Sequence, residues 1–303
     1  MRIEEVQAGS GVPAEIEGLA RASYALDGDD APRLPAMVWF DAPGAWRARL
    51  IAYDEARIAG VLLGSVVGTI AYIDLLLVAP HLRRRGLGSE LIAKWEERAD
   101  KLGAQTFSIG ANLHAYAWPG VDIRYTAAIA TFLHVGYLRQ NVLFNMDVDL
   151  PVLTIPSASE LGQLDVAGIA VRRGRPEDSE ALAAHNAKYW STVWARETQA
   201  ALHRPKPTIF LGLAKGEIVG FAAHGVLRAS NFGPLGTAPE WRRVGLGGIL
   251  TRLALADVAA DGHRLGEIAW VNESAIPFYS RCSNARLGRT FWTMTRKATA
   301  TAS

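Results

Sequence analysis

Cysteine is almost missing from this chain. One residue, Cys282, among 303 supports neither an internal disulfide nor a CxxC metal site. A reducing, cytoplasmic setting is the expectation that follows. An excess of either charge is missing too: 32 basic residues nearly cancel 30 acidic ones, for a net charge of +2. That gives no reason to expect a nucleic-acid groove or a strong membrane-surface field. The seven histidines are scattered, with no HxxxH or other metal spacing. No uninterrupted apolar run reaches membrane length. The nearest, Ile58 to Ala79, is broken by Gly60, Gly64 and Gly68 and carries Asp74, so it reads as two buried strands and a turn. The opening residues Met1-Arg2-Ile3-Glu4-Glu5 have no apolar core segment and are not expected to be a signal peptide.

What is present is a globular composition, 50% hydrophobic and 20% charged, in a chain long enough for two domains. The sequence also repeats. Arg83-Arg84-Arg85-Gly86-Leu87-Gly88 recurs 159 residues later as Arg242-Arg243-Val244-Gly245-Leu246-Gly247. The flanks recur with it: Val78-Ala79-Pro80 precedes the first copy and Thr237-Ala238-Pro239 the second. After the first loop, Leu87, Leu91, Ile92, Trp95, Ala99 and Leu102 fall on one helical face, with Gly103 as the stop. Leu246, Ile249, Leu250, Leu253 and Val258 do the same after the second, with Gly262 as the stop.

Strands are expected over 48–53, 58–65, 71–78 and 105–110, and over 209–214, 218–226, 233–237 and 267–271. The fold class is therefore α/β: two tandem domains, each a mixed, mostly antiparallel sheet flanked by helices. The expected division is 1–150, a Pro- and Ser-rich linker over 151–165, and 166–303, with a new strand starting at Val166.

Between a strand and a helix, two glycines let the main chain turn tightly and aim several N–H groups at one point. With the helix N-terminus behind them they form an anion site suited to a diphosphate. A P-loop would need a lysine that neither copy has, and a dinucleotide fingerprint a third glycine and a place after the first strand.

Arg-x-x-Gly-x-Gly after a strand ending in Val-x-Pro resembles the signature of the GNAT superfamily of acyl-CoA-dependent N-acyltransferases. Asn272-Glu273-Ser274-Ala275-Ile276-Pro277-Phe278-Tyr279 is similar to a later motif of that family. The resemblance covers nearly the whole chain as two tandem domains. It implies acetyl-CoA, or another acyl-CoA, bound along the strand before each loop. The implied contacts are Leu77, Val78, Arg83, Arg84, Arg85, Gly86, Leu87, Gly88 and Ser89 in the first half. In the second half they are Gly236, Thr237, Arg242, Arg243, Val244, Gly245, Leu246, Gly247, Gly248 and Asn272. The acceptor is expected to be a small-molecule amine, with no nucleic-acid or membrane partner, in a monomer or homodimer.

The halves share the catalytic groups unevenly. Tyr279 falls where the family places a tyrosine acid, and the first half has Phe132 at the matching place. Asp74 lies where the family often carries a carboxylate base, and Gly233 stands at the same offset in the second half. Glu267 and His224 are weaker base candidates. Between the fifth strand and the next helix the first half has a long aromatic segment. Tyr116, Trp118, Asp122, Arg124 and Tyr125 are its candidate acceptor contacts. Two other readings stay open: an acyl-CoA-binding protein with one or both halves non-catalytic, and a related enzyme with different acyl-CoA chemistry.

Overall fold

The computed structural model describes residues 1–9, 11–41, 44–110, 112 and 118–298, with the side chain of Asp29 left aside. The chain divides into two compact units: Met1–Leu143 together with the segment that begins at Phe291, and Phe144–Thr290.

The first unit runs β1 (Arg2–Glu5), α1 (Ala14–Ser23), α2 (Leu34–Trp39), β2 (Trp46–Asp54), β3 (Arg57–Val67), β4 (Ile70–Val78), α3 (Leu87–Asp100), β5 (Thr106–Ile109), β6 (Val121–Asp122) and α4 (Thr126–His134). β7 (Leu138–Asp149) then carries the chain into the second unit. Strands β1 to β4 pair antiparallel in chain order, and β4 pairs parallel with β5. The middle of β3 is buried at every residue, so both faces of the sheet are covered and alternation is lost. Gly60 and Gly64, which argue against a membrane span in the sequence, are where α3 docks. A Cβ on Gly60 would stand 3.0 Å from Leu91 Cδ1, and one on Gly64 would stand 2.6 Å from the Trp95 ring. Gly68, at φ +58°, makes the β3–β4 turn. Leu102 lies beyond the last residue of α3 and is 38% exposed, unlike the face it was read with.

The second unit continues with α5 (Ala158–Val166), β8 (Ile169–Arg173), α6 (Ser179–Tyr189), α7 (Thr192–Leu202), β9 (Ile209–Ala214), β10 (Glu217–His224), β11 (Asn231–Thr237), α8 (Leu246–Ala260), β12 (Leu265–Val271) and α9 (Ile276–Ser283). β13 (Arg286–Lys297) closes the chain's strands. Here the order is β8-β9-β10-β11-β12, followed by residues 144–149 of β7, with β11 and β12 parallel and the rest antiparallel.

Two expectations about the division change. Residues 151–165 are not a bare linker. The Ser157 hydroxyl accepts the Glu160 N–H while the Glu160 carboxylate accepts from Ser157 N–H, a capping box that starts α5. Val166 ends that helix, and the strand begins at Ile169. The chain from Phe291, read with the second half, belongs to the first unit. There Thr295, Arg296 and Lys297 pair with Ser108, Phe107 and Thr106 on the free edge of β5. An alternating strand pattern says which face is buried and not which edge it will meet. Among the described residues, no helix is long and apolar enough to cross a membrane.

Candidate functional site

The two glycine loops have the same backbone. Ala79 and Ala238 take φ −52° with ψ 129° and 139°, and each leads into a 3-10 turn, Pro80–Leu82 or Pro239–Trp241. Arg84 (φ 61°) and Arg243 (φ 69°) are left-handed despite their side chains. Gly86 (φ 86°) and Gly245 (φ 90°) open α3 and α8 with no side-chain cap. The first-turn N–H groups of both helices are thus left for an anion. Arg83 Nε donates to Val78 O at 3.2 Å and Arg242 Nε to Thr237 O at 3.1 Å. The first arginine of each motif braces the loop against its strand, while Arg84, Arg85 and Arg243 are exposed.

The strands before the loops splay. β4 pairs with β5 as far as Ile73↔Ile109 and then runs on to Val78. β11 pairs with β12 only at Asn231↔Glu267 and Phe232↔Ile268, then runs on to Thr237. Among the described residues, the β4 edge past Ile73 and the β11 edge past Phe232 therefore make no further ladder pairs with β5 and β12. Asp74 is the first residue past the last pair on β4, and Gly233 the first on β11.

In the second unit a cleft of about 990 Å³ opens beside the loop end of β11. Arg242, Arg243, Val244, Gly245, Gly247 and Gly248 line one end, where Arg243 is exposed to solvent. Leu235 and Thr237 of β11 form a side wall, and Phe278, Tyr279 and Cys282 of α9 another. Trp190 also lines it. Arg252 Nη2 is neutralised by Glu160 Oε1 at 2.5 Å; its guanidinium and the Ser157 cap hold that carboxyl at about 2. The Tyr279 ring packs edge-on against Phe278 and Phe232, with centroids 4.9 and 6.0 Å away. Burial pushes its phenol well above the ordinary tyrosine range, so it keeps its proton near neutrality. Burial likewise raises the Cys282 thiol. The Asn272 side chain accepts from Ala275 N–H at 3.1 Å and caps the turn ahead of α9.

The first unit differs. Val78 O also accepts from the Ser23 hydroxyl, at 3.3 Å, and Arg83 Nη2 donates to Ser23 O at 3.3 Å. Asp74 is the extra residue where the β3–β4 register slips, with its side chain 1% exposed. Its carboxylate accepts from Ser65 Oγ (2.6 Å) and Asn112 Nδ2 (3.0 Å) and faces Arg47 Nη1 at 3.7 Å. Burial outweighs these partners and lifts its pKa to about 6. Phe132 is buried against Tyr137.

Of the acceptor candidates, Tyr116 lies outside the described residues. Trp118 stacks on Phe291 with centroids 5.4 Å apart. Arg124 Nη2 donates to Asp122 at 2.7 Å, within one turn. The Tyr125 hydroxyl donates to Asp27 and accepts Leu26 N–H at 3.1 Å. These four make contacts within the first unit, and none is among the described residues that line the second unit's cleft. His224 and Glu267 also stay off that lining. His224 Nε2 is 3.0 Å from Asp257, and Glu267 accepts from Asn231 Nδ2 at 2.9 Å. Sequence reasoning missed Trp190 and the buried His185 behind it. The buried residues of α6 are Leu182, His185 and Asn186, too polar to give a readable apolar stripe.

Two segments of the sequence, residues 16–118 and 177–283, match the acetyltransferase (GNAT) family. A search of curated protein sequences finds no match. Several solved structures share the fold. The glucosamine N-acetyltransferase region of a fungal multi-domain GH3 β-N-acetylglucosaminidase superposes with a TM-score of 0.78 at 16% identity over 97% of this chain. The chain spans 38% of that protein's length. A tandem GNAT protein from the clavulanic acid biosynthesis pathway gives 0.71 at 17% identity, covering 99% of both chains. A GCN5-related N-acetyltransferase from Sphaerobacter thermophilus gives 0.70 at 20% identity, covering 97% of this chain and 95% of that one. At these identities the likeness is one of fold.

Proposed function

We propose, from the premise that this chain belongs to the acetyltransferase (GNAT) family, that its second unit transfers a short acyl group from acyl-CoA to the primary amine of a small molecule. Membership itself rests on two family matches that together span more than half of the chain. The observation that carries the finer reading is the second unit's cleft, which joins the glycine loop, the unpaired edge of β11 and Tyr279 in one space.

The residues suit acyl-CoA. Uncapped N–H groups at the start of α8, with Arg243 beside them, would hold the diphosphate. The backbone of Gly236 and Thr237, past the last β11–β12 pair, would hold the extended arm by strand-like hydrogen bonds. The thioester supplies an acyl carbon ready for attack by an amine, with a thiol as leaving group. The protein's share is to hold the two reactants together and to manage protons. Tyr279, kept protonated by burial, is the proton donor for the departing sulfur.

The first unit supports a second reading for that half, as a partner that does not turn over. Its Val78 carbonyl is already taken by Ser23 and Arg83, and Asp74 is enclosed with Arg47, Ser65 and Asn112.

The test is release of free thiol from acetyl-CoA in the presence of a panel of amines: amino acids, polyamines and aminoglycosides. Amine-dependent release is expected. No release with any acyl-CoA, together with no binding by calorimetry, overturns the proposal.

A further inference from the structure

We infer that Trp190 sets the length of acyl chain the second unit accepts, admitting acetyl and propionyl and refusing longer chains. The inference rests on the second unit being the acyl-CoA site.

Trp190 directly follows α6, and its N–H donates to Asn186 O at 2.8 Å. Its indole is fixed from several sides. It stacks on Trp194 with centroids 4.9 Å apart and planes 28° from parallel. Phe221 meets it edge-on at 6.3 Å. Indole Nε1 donates to His185 Nε2 at 3.3 Å. Burial lowers the pKa of His185, which keeps the imidazole neutral and Nε2 able to accept. The ring is therefore not free to swing aside.

The indole is also pressed against β11. A Cβ on Gly236 would fall 2.8 Å from Trp190 Cε2 and 2.8 Å from the Phe221 ring. Glycine at 236 is what allows this approach, in the stretch of β11 that β12 has left. Among the described residues lining the cleft, the others come from β11, the loop, α8, α9 and the segment from Asp149 through α5; Trp190 is the one from the α6–α7 side. The anion-binding end lies at the loop. An arm laid from the loop back along β11 passes Thr237 and then Gly236, the residue the indole covers, so what lies beyond it runs beside Trp190. A wall this immobile refuses extra methylenes rather than yielding to them, because a packed aromatic cluster resists insertion.

The experiment is calorimetric binding of acetyl-, propionyl-, butyryl-, hexanoyl- and octanoyl-CoA to the wild type, Trp190→Ala, Trp190→Phe and Trp194→Ala, with thermal melting as the check on folding. The wild type is expected to bind hexanoyl-CoA at least tenfold more weakly than acetyl-CoA. Trp190→Ala should bind hexanoyl-CoA at least as tightly as acetyl-CoA, and Trp194→Ala, which frees the ring, should shift the profile the same way. A folded Trp190→Ala with the wild-type chain-length profile overturns the inference. Should that variant not fold, unchanged profiles in both Trp190→Phe and Trp194→Ala overturn it. Failure of the wild type to bind acetyl-CoA at all instead removes the functional reading beneath it.

Discussion

The Ser23 hydroxyl reaches the carbonyl oxygen of Val78 at 3.3 Å, at a strand end where the matching Thr237 carbonyl takes only the loop arginine among the described residues. An acceptor already bonded to its own chain has less to offer an incoming amide. The expected stoichiometry in calorimetry is therefore one acetyl-CoA per chain. Gly245 and Gly86 separate the units in the same titration. Both sit near φ +90°, where a β-branched side chain is strained. Gly245→Val should weaken binding at least tenfold. Gly86→Val should leave the affinity within about twofold, its cost appearing in melting instead. Two sites per chain, or equal effects of the two substitutions, would contradict this assignment.

Tyr279→Phe keeps the ring that packs on Phe232 and Phe278 and removes only the hydroxyl. General acid catalysis contributes about 10²–10⁴ in rate, so kcat should fall roughly a hundredfold while KM for acetyl-CoA changes little. Because burial raises the phenol's pKa, the wild-type rate should show no alkaline loss from this group near neutral pH. A fall in KM-limited rate alone would mean that Tyr279 is a wall of the cleft and not a donor.

Much of this was legible because it is local. Arg83–Gly88 and Arg242–Gly247 share flanks, and flanks set backbone: the matching left-handed Arg84 and Arg243 follow from identical turns. Gly103 and Gly262 end their helices with positive φ, as glycine after an apolar stripe implies. What is non-local did not show. That Asp74 would share its enclosure with Arg47, Ser65 and Asn112 depends on β2, β3 and the chain after β5 converging on one face. That Trp190 would reach β11 depends on a glycine 46 residues later in the sequence. Nor does the local sequence of β13, buried only at Phe291 and Met294, announce that its end will serve the first unit.

Asp74→Asn tests whether that carboxyl is chemistry or architecture. The amide can keep hydrogen bonds with Ser65 and Asn112 but deprives the Arg47 guanidinium, 2% exposed, of its largest favourable charge partner. Breaking one side of a buried pair costs about 3–5 kcal/mol, so a large drop in melting temperature is expected. Replacing both partners by apolar residues, Arg47→Met with Asp74→Leu, should recover most of it. Turnover per folded molecule should persist. Loss of kcat with an unchanged melt, together with loss of a wild-type acid limb near pH 6, would make Asp74 the base.

Asp257 on α8 ties that helix to two strands. It receives Arg173 at 2.5 and 2.8 Å and His224 at 3.0 Å. Burial alone would raise its pKa, but the bonds from Arg173 and His224 prevail and hold it at about 2. The unfolded carboxylate, at about 3.9, binds protons more readily. The stabilisation is thus complete above about pH 4 and is lost as pH falls through 2, about 2–3 kcal/mol in all. Asp257→Asn should cost about that much at pH 7 in urea unfolding. The gap between variant and wild type should shrink to under half by about pH 2.5, as the wild-type carboxyl takes up its proton. A gap that stays constant from pH 7 downward would mean that the side chain contributes packing and not charge.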